Sequence, residues 1–150
     1  MKKILFVAAL LVATFANALN IGDSTPAFEI KDQFEKKHTI KADTKNIIVA
    51  GDRDASEVIR DYLLKKEKGF LEANNSYYVA DISGMPSLIT KFFALPKMKE
   101  YPFSILLVNE EQSKSFTKKE GQITIYSVEN GKVTNVKFIK TAEELDAVFK

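Results

Sequence analysis

The sequence predicts an α/β fold with a mixed central sheet flanked by helices. Short apolar runs closed by glycine or polar residues recur along the chain, as in Asn46-Ile47-Ile48-Val49-Ala50-Gly51. Stretches of helical periodicity with readable starts separate them. Asn130-Gly131 then sits between two β-rich runs, where a tight hairpin needs residues that tolerate positive φ. Strands alternating with helices imply a largely parallel sheet covered on both faces, and the late hairpin makes it mixed.

Phe28 and Ile30 alternate with polar residues, and His38-Thr39-Ile40 follows the charged turn Glu35-Lys36-Lys37, which predicts an N-terminal β-hairpin. Asn46 to Ala50 reads as a buried central strand. A helix follows, with Asp54 and Glu57 at capping-box spacing, Gly69 as its stop, and Val58, Ile59, Tyr62 and Leu63 on one face. Tyr77 to Ile82 is the next strand. Gly84-Met85-Pro86 opens a second helix whose Leu88, Ile89, Phe92 and Phe93 are expected to face inward, with Leu95-Pro96 ending it. Phe103 to Val108 is another strand, and Gln112 to Lys119 a short helix or irregular connection. Ile123 to Val128 and Lys132 to Ile139 flank the Asn-Gly turn. Thr141 and Glu144 form a capping box for a closing helix with Leu145, Val148 and Phe149 inside.

The N-terminus reads as a secretory signal peptide. Lys2 and Lys3 precede the apolar run Ile4 to Phe15, and Ala16-Asn17-Ala18 is a small-x-small cleavage site. The run is shorter than the roughly 20 apolar residues of a permanent span. Cleavage is expected after Ala18, with a periplasmic product, and no Cys is present to carry a lipid anchor. Residues 19–150 then make one domain. Removing Lys2 and Lys3 from the 22 basic side chains leaves 20, against 20 acidic ones. A balanced chain offers no clustered positive field for nucleic acid and no basic amphipathic stretch for a stable membrane attachment. The absence of cysteine excludes thiol chemistry and disulfides alike.

Several runs carry a family likeness. Gly22-Asp23-Ser24-Thr25-Pro26, followed by Phe28, Ile30, Asp32 and Gln33, resembles the opening of peroxiredoxin-like and related periplasmic thioredoxin-fold proteins. Tyr101-Pro102-Phe103 with Ile105 to Val108 resembles their later strand. Ile123 to Val133 resembles their terminal hairpin. Within that superfamily the chain is most similar to the periplasmic YtfJ-type family, through Val49-Ala50-Gly51 before a helix, Tyr101-Pro102, and the closing hairpin and helix. The resemblance implies a thioredoxin-like fold. It does not carry the chemistry over. Redox members place a reactive Cys where the central strand meets the next helix, because a helix N-terminus stabilises a thiolate. This chain has Gly51-Asp52-Arg53-Asp54-Ala55-Ser56 there, and Gly121-Gln122 where the relatives place an Arg or a cis-Pro. Pro102 is expected to be trans, since reading it as the cis-Pro would leave Ile123 to Val128 as a surplus strand.

The candidate ligand-binding residues are Asp52, Arg53, Asp54, Ser56 and Gln122, at the strand end where open α/β sheets bind ligands. The plainer reading makes Asp54 a helix cap and Asp52 an exposed side chain. Ser56 lacks an evident base, since the only His, His38, falls on the N-terminal hairpin. His38 alone makes no metal site and reads as a surface strand residue, and no phosphate loop or dinucleotide fingerprint is present, so no metal or cofactor is expected. Leu95, Met98 and Tyr101 are the candidate interaction surface, in a connection where exposed apolar groups would mark a partner seam. The runs Lys65 to Lys68 and Lys118-Lys119-Glu120 read as solvated faces. The expectation is therefore a redox-inactive, non-catalytic module that binds a protein or peptide in the periplasm. The alternative is a thiol-independent enzyme or small-ligand binder built on the Asp52 group.

Overall fold

The computed structural model describes residues 18–150, so the apolar leader falls outside the described residues. The elements are β1 (Ile30–Asp32), β2 (Lys37–His38), β3 (Asn46–Ala50), α1 (Arg53–Leu64), α2 (Phe70–Ala73), β4 (Ser76–Asp81), α3 (Ser87–Ile89), a π-helical turn (Thr90–Ala94), α4 (Leu95–Met98), β5 (Leu106–Val108), α5 (Glu110–Ser113), β6 (Ile123–Glu129), β7 (Lys132–Ile139) and α6 (Ala142–Val148). The strands form one sheet in the order β2-β1-β5-β4-β3-β6-β7. β3, β4 and β5 are parallel, while β1, β6 and β7 run antiparallel to their neighbours. This is the mixed sheet expected from the alternation of strands and helices.

The pleat sorts the core into two layers. Ile48, Ala50, Tyr78 and Ala80 pack with Ala55, Ile59, Tyr62 and Leu63 of α1, Leu71 of α2 and Leu145 of α6. Ile47, Val49, Val79, Leu106 and Tyr126 pack on the other face with Ile40 and Phe116, and Leu19 and Phe28 close over them. The hairpins turn where expected. Asn130 and Gly131 both have positive φ, and Asp32 accepts the N–H groups of Phe34 and Lys36 to shape the first turn. Thr141 and Glu144 form the reciprocal capping box of α6, and Tyr62 donates from α1 to Asp146 of α6 at 2.8 Å.

The structure corrects five local readings. The cap of α1 is Asp52, one residue before the helix, and Glu57 pairs instead with Arg53. Gly69 ends nothing; α1 stops at Leu64, and Gly69, at φ 87°, is the N-cap of α2. Pro96 lies inside a helical segment that continues to Met98. Its missing N–H is absorbed by the π turn, where Leu95 N–H reaches five residues back to Thr90 C=O. β5 begins only at Leu106, because buried Gln33 takes the main-chain groups before it. Its amide accepts from Ile105 N–H at 2.8 Å and donates to Phe103 C=O at 2.7 Å and Met98 C=O at 3.2 Å.

The fifth correction concerns Leu88, Ile89, Phe92 and Phe93, which face outward at 68%, 44%, 60% and 69% exposure. The reason lies just downstream. Met98, Tyr101 and Phe103 pack against the α1 side of the sheet, with the Tyr101 and Phe103 rings stacked at 5.3 Å. They fill the place that the helix would have covered.

Candidate functional site

The turn after β3 is built around one carboxylate. Asp52 is extended (φ −153°, ψ 179°), and its Oδ1 accepts Ala55 N–H at 3.0 Å, satisfying an orphan donor of α1. Its Oδ2 accepts the N–H of Gly121, in the turn before β6, at 2.5 Å. The fold thus brings Asp52 beside the turn that carries Gln122. Arg53 is not part of that arrangement; its side chain is 88% exposed and pairs with Glu57 at 2.8 Å. Asp54 is exposed in the first turn of α1.

Ser56 has no histidine beside it. Burial pushes the Tyr78 phenol up to about 12, with the Ser56 hydroxyl pulling the other way. His38 lies on β2, at the sheet edge beyond β4, β5 and β1. It is no free surface residue, since its Nε2 meets Asp32 Oδ2 at 2.7 Å. Among the described residues no group of three or more His, Asp or Glu side chains is placed to hold a metal ion.

Lys118 fills the space next to Gly51. A Cβ on Gly51 would lie 2.7–2.9 Å from Cβ, Cγ and Cδ of Lys118, so only glycine leaves room for that stem. The ammonium donates to Ser113 C=O at 2.8 Å and Phe116 C=O at 3.0 Å, and meets Asp81 Oδ2 at 3.2 Å. Burial pushes the Asp81 carboxyl up, but Ser83 and Lys118 more than offset it and hold it below its ordinary range. The segment carrying Lys118 is itself pinned. Thr117 N–H donates to the buried Tyr126 hydroxyl at 2.7 Å, and Thr124 donates to Thr117 C=O at 2.8 Å. Lys118 is therefore a braced internal cation at the strand ends, not a solvated one, and the sequence signal for it was the bare Gly51 opposite. Among the described residues, the cleft lined by Lys36 and Tyr77 and the one lined by Met85 and Leu95 include neither Asp52 nor Gln122.

Leu95, Met98 and Tyr101 are half-buried and border the outward helical face of Leu88, Ile89, Phe92 and Phe93. Lys91 lies 5.7 Å over the Phe92 ring. No helix among the described residues is long and apolar enough to cross a membrane.

No family model matches the chain, and no curated protein matches its sequence. Solved structures do match its shape. A putative thiol:disulfide interchange protein DsbE from Chlorobium tepidum superposes with TM-score 0.58 at 14% identity, over 87% of this chain and 96% of that one. The thioredoxin domain of a Bacteroides vulgatus thiol-disulfide oxidoreductase gives 0.54 at 14% identity, over 89% and 100%. StoA from Bacillus subtilis gives 0.53 at 17% identity, over 85% and 100%. The chain has a thioredoxin-like fold resembling these proteins, and it contains no cysteine with which to perform thiol-disulfide chemistry.

Proposed function

We propose that this is an exported, redox-inactive thioredoxin-like domain that works as a protein-interaction module. One observation carries the reading: Leu88, Ile89, Phe92 and Phe93, all large and apolar, stand exposed together on one helical segment. Contiguous apolar surface of this kind marks interaction sites far more often than isolated exposed side chains do. Leu95, Met98 and Tyr101 form the inner seam of the same surface. The reading further takes Met1 to Ala18 as a cleaved leader, the periplasm as the compartment, and the YtfJ-type proteins as the kin group.

The Asp52 turn is assigned a structural role, because both its carboxylate oxygens are engaged by main-chain donors. The test is a photo-crosslinking residue placed at position 92 in cells expressing the full chain. The reading expects one discrete adduct with a protein of the periplasmic fraction, lost in the Leu88→Ser/Phe93→Ser variant. Absence of any adduct from a correctly exported, folded chain would overturn it.

A further inference from the structure

The sheet has a gap far from the Asp52 turn. β4 pairs with β3 from Ser76 to Ala80, but β5 joins it only from Val79 onward. Ser76, Tyr77 and Tyr78 therefore have a strand neighbour on one side only. The chain that would fill the other side is Phe103 to Ile105, whose main-chain groups are taken by Gln33. Beside this free edge lies a cleft of about 380 Å³, walled by Lys36, Lys37, His38, Lys41, Tyr77 and Ser104 among others. None of the three lysines is in a salt bridge among the described residues. Asp43 and Glu72 also line the cleft, so its cations outnumber its anions. His38 has its Nε2 committed to the buried carboxylate of Asp32, which leaves Nδ1 as its remaining polar ring atom.

We propose that this cleft binds an extended acidic peptide segment, which adds a short strand to the free edge of β4 and sets its carboxylates among Lys36, Lys37 and Lys41. Strand addition suits such an edge, because main-chain hydrogen bonds supply affinity while alternate side chains choose the pockets. Three residues at about 3.3 Å each give roughly 10 Å of edge. The site is separate from the exposed helical face and does not depend on it. Lysines beside a free edge can also serve only to repel other strands, so the test must separate repulsion from recognition.

The experiment is a titration of the ¹⁵N-labelled chain, residues 19–150, with an acetylated and amidated peptide of alternating Val and Asp. Controls are its Val-Asn counterpart and inorganic phosphate. The expected result is that the acidic peptide shifts the amides of Ser76, Tyr77, Tyr78 and Ser104. The Lys36→Glu/Lys37→Glu/Lys41→Glu variant should keep a native amide spectrum and weaken binding at least about tenfold, the scale of losing complementary charge. The Phe92→Ser/Phe93→Ser variant should bind the acidic peptide unchanged. Equal binding of the Val-Asn peptide, the same shifts from phosphate alone, or no shift with the acidic peptide would each overturn the proposal. So would loss of binding in the Phe92→Ser/Phe93→Ser variant, since the peptide would then sit on the helical face.

Discussion

The carboxylate of Asp52 accepts the main-chain N–H of Gly121, joining the start of α1 to the turn before β6 across 69 residues of chain. The same side chain caps α1 through Ala55. Two elements that flank β3 on different sides are thus held by one residue. Asp52→Ala should lower stability by about 1–2 kcal/mol for the lost cap alone, with a further loss from the freed Gly121 N–H. Asp52→Asn, which keeps an acceptor, should fall between. Urea denaturation measures both, and an Asp52→Ala chain as stable as the parent would refute the structural role given to this residue.

Gly51 and Lys118 make a second such pair, one of shape. Gly51→Ala drives a methyl into the rigid part of the Lys118 stem, and overpacking of this kind costs about 1–3 kcal/mol. Lys118→Ala removes Cγ and Cδ of the obstacle, though not its Cβ, and leaves Asp81 without its cation. The double variant should therefore be less destabilised than the two single losses added together, a coupling that a double-mutant cycle reads directly. Strict additivity would mean that the side chains do not meet.

Most of the sheet was legible because its signals are local. The apolar run at Ile47 to Ala50, the Asn130-Gly131 turn and the Thr141-Glu144 capping box each fix their own geometry within a few residues. The site was not legible for the opposite reason. Asp52 outcompetes Asp54 as the cap because Oδ2 also finds Gly121, a partner that sequence spacing cannot show. Lys118 looks like any solvated lysine until Asp81 and two carbonyls are seen around it. The outward helix is the clearest case. Its periodicity is helical and so is the segment, but Tyr101 and Phe103 compete for the same sheet face and occupy it.

Gln33 holds the chain at Met98, Phe103 and Ile105 by its side chain alone. Gln33→Leu is close in size, yet it leaves the buried Ile105 N–H and the Phe103 carbonyl without their partners. At about 1–3 kcal/mol for each unsatisfied buried group, the expected loss is roughly 2–6 kcal/mol. Hydrogen exchange should quicken first at Ile105. A variant with unchanged exchange there would show that another group replaces the amide.

Phe92→Ser/Phe93→Ser tests the outward helix from the stability side. Both rings are mostly exposed, so the variant should unfold within about 0.5 kcal/mol of the parent, as surface changes do. Burial of these rings against the sheet would instead cost about 3 kcal/mol or more for each. Thermal and urea midpoints separate the two outcomes, and a large loss would return this face to the core.

Acid should unfold the domain through Asp32 and Asp81. At Asp32, burial pushes the carboxyl up, while His38 and the N–H groups of Phe34 and Lys36 outweigh it and hold it below the ordinary 3.8. At Asp81, burial is likewise outweighed by Ser83 and Lys118. A carboxyl lowered by folding binds its proton more weakly in the native chain than in the unfolded one. Its contribution is therefore complete above the ordinary value and is lost as pH falls through the lower folded value. The urea midpoint should hold steady above that ordinary value and fall as the solution is acidified past it. Asp32→Asn should start from a lower plateau and show a shallower fall, since one of the linked protons is gone. An unchanged slope in that variant would place the acid sensitivity elsewhere, and the Asp81→Asn chain would then show whether the Lys118 pair carries it.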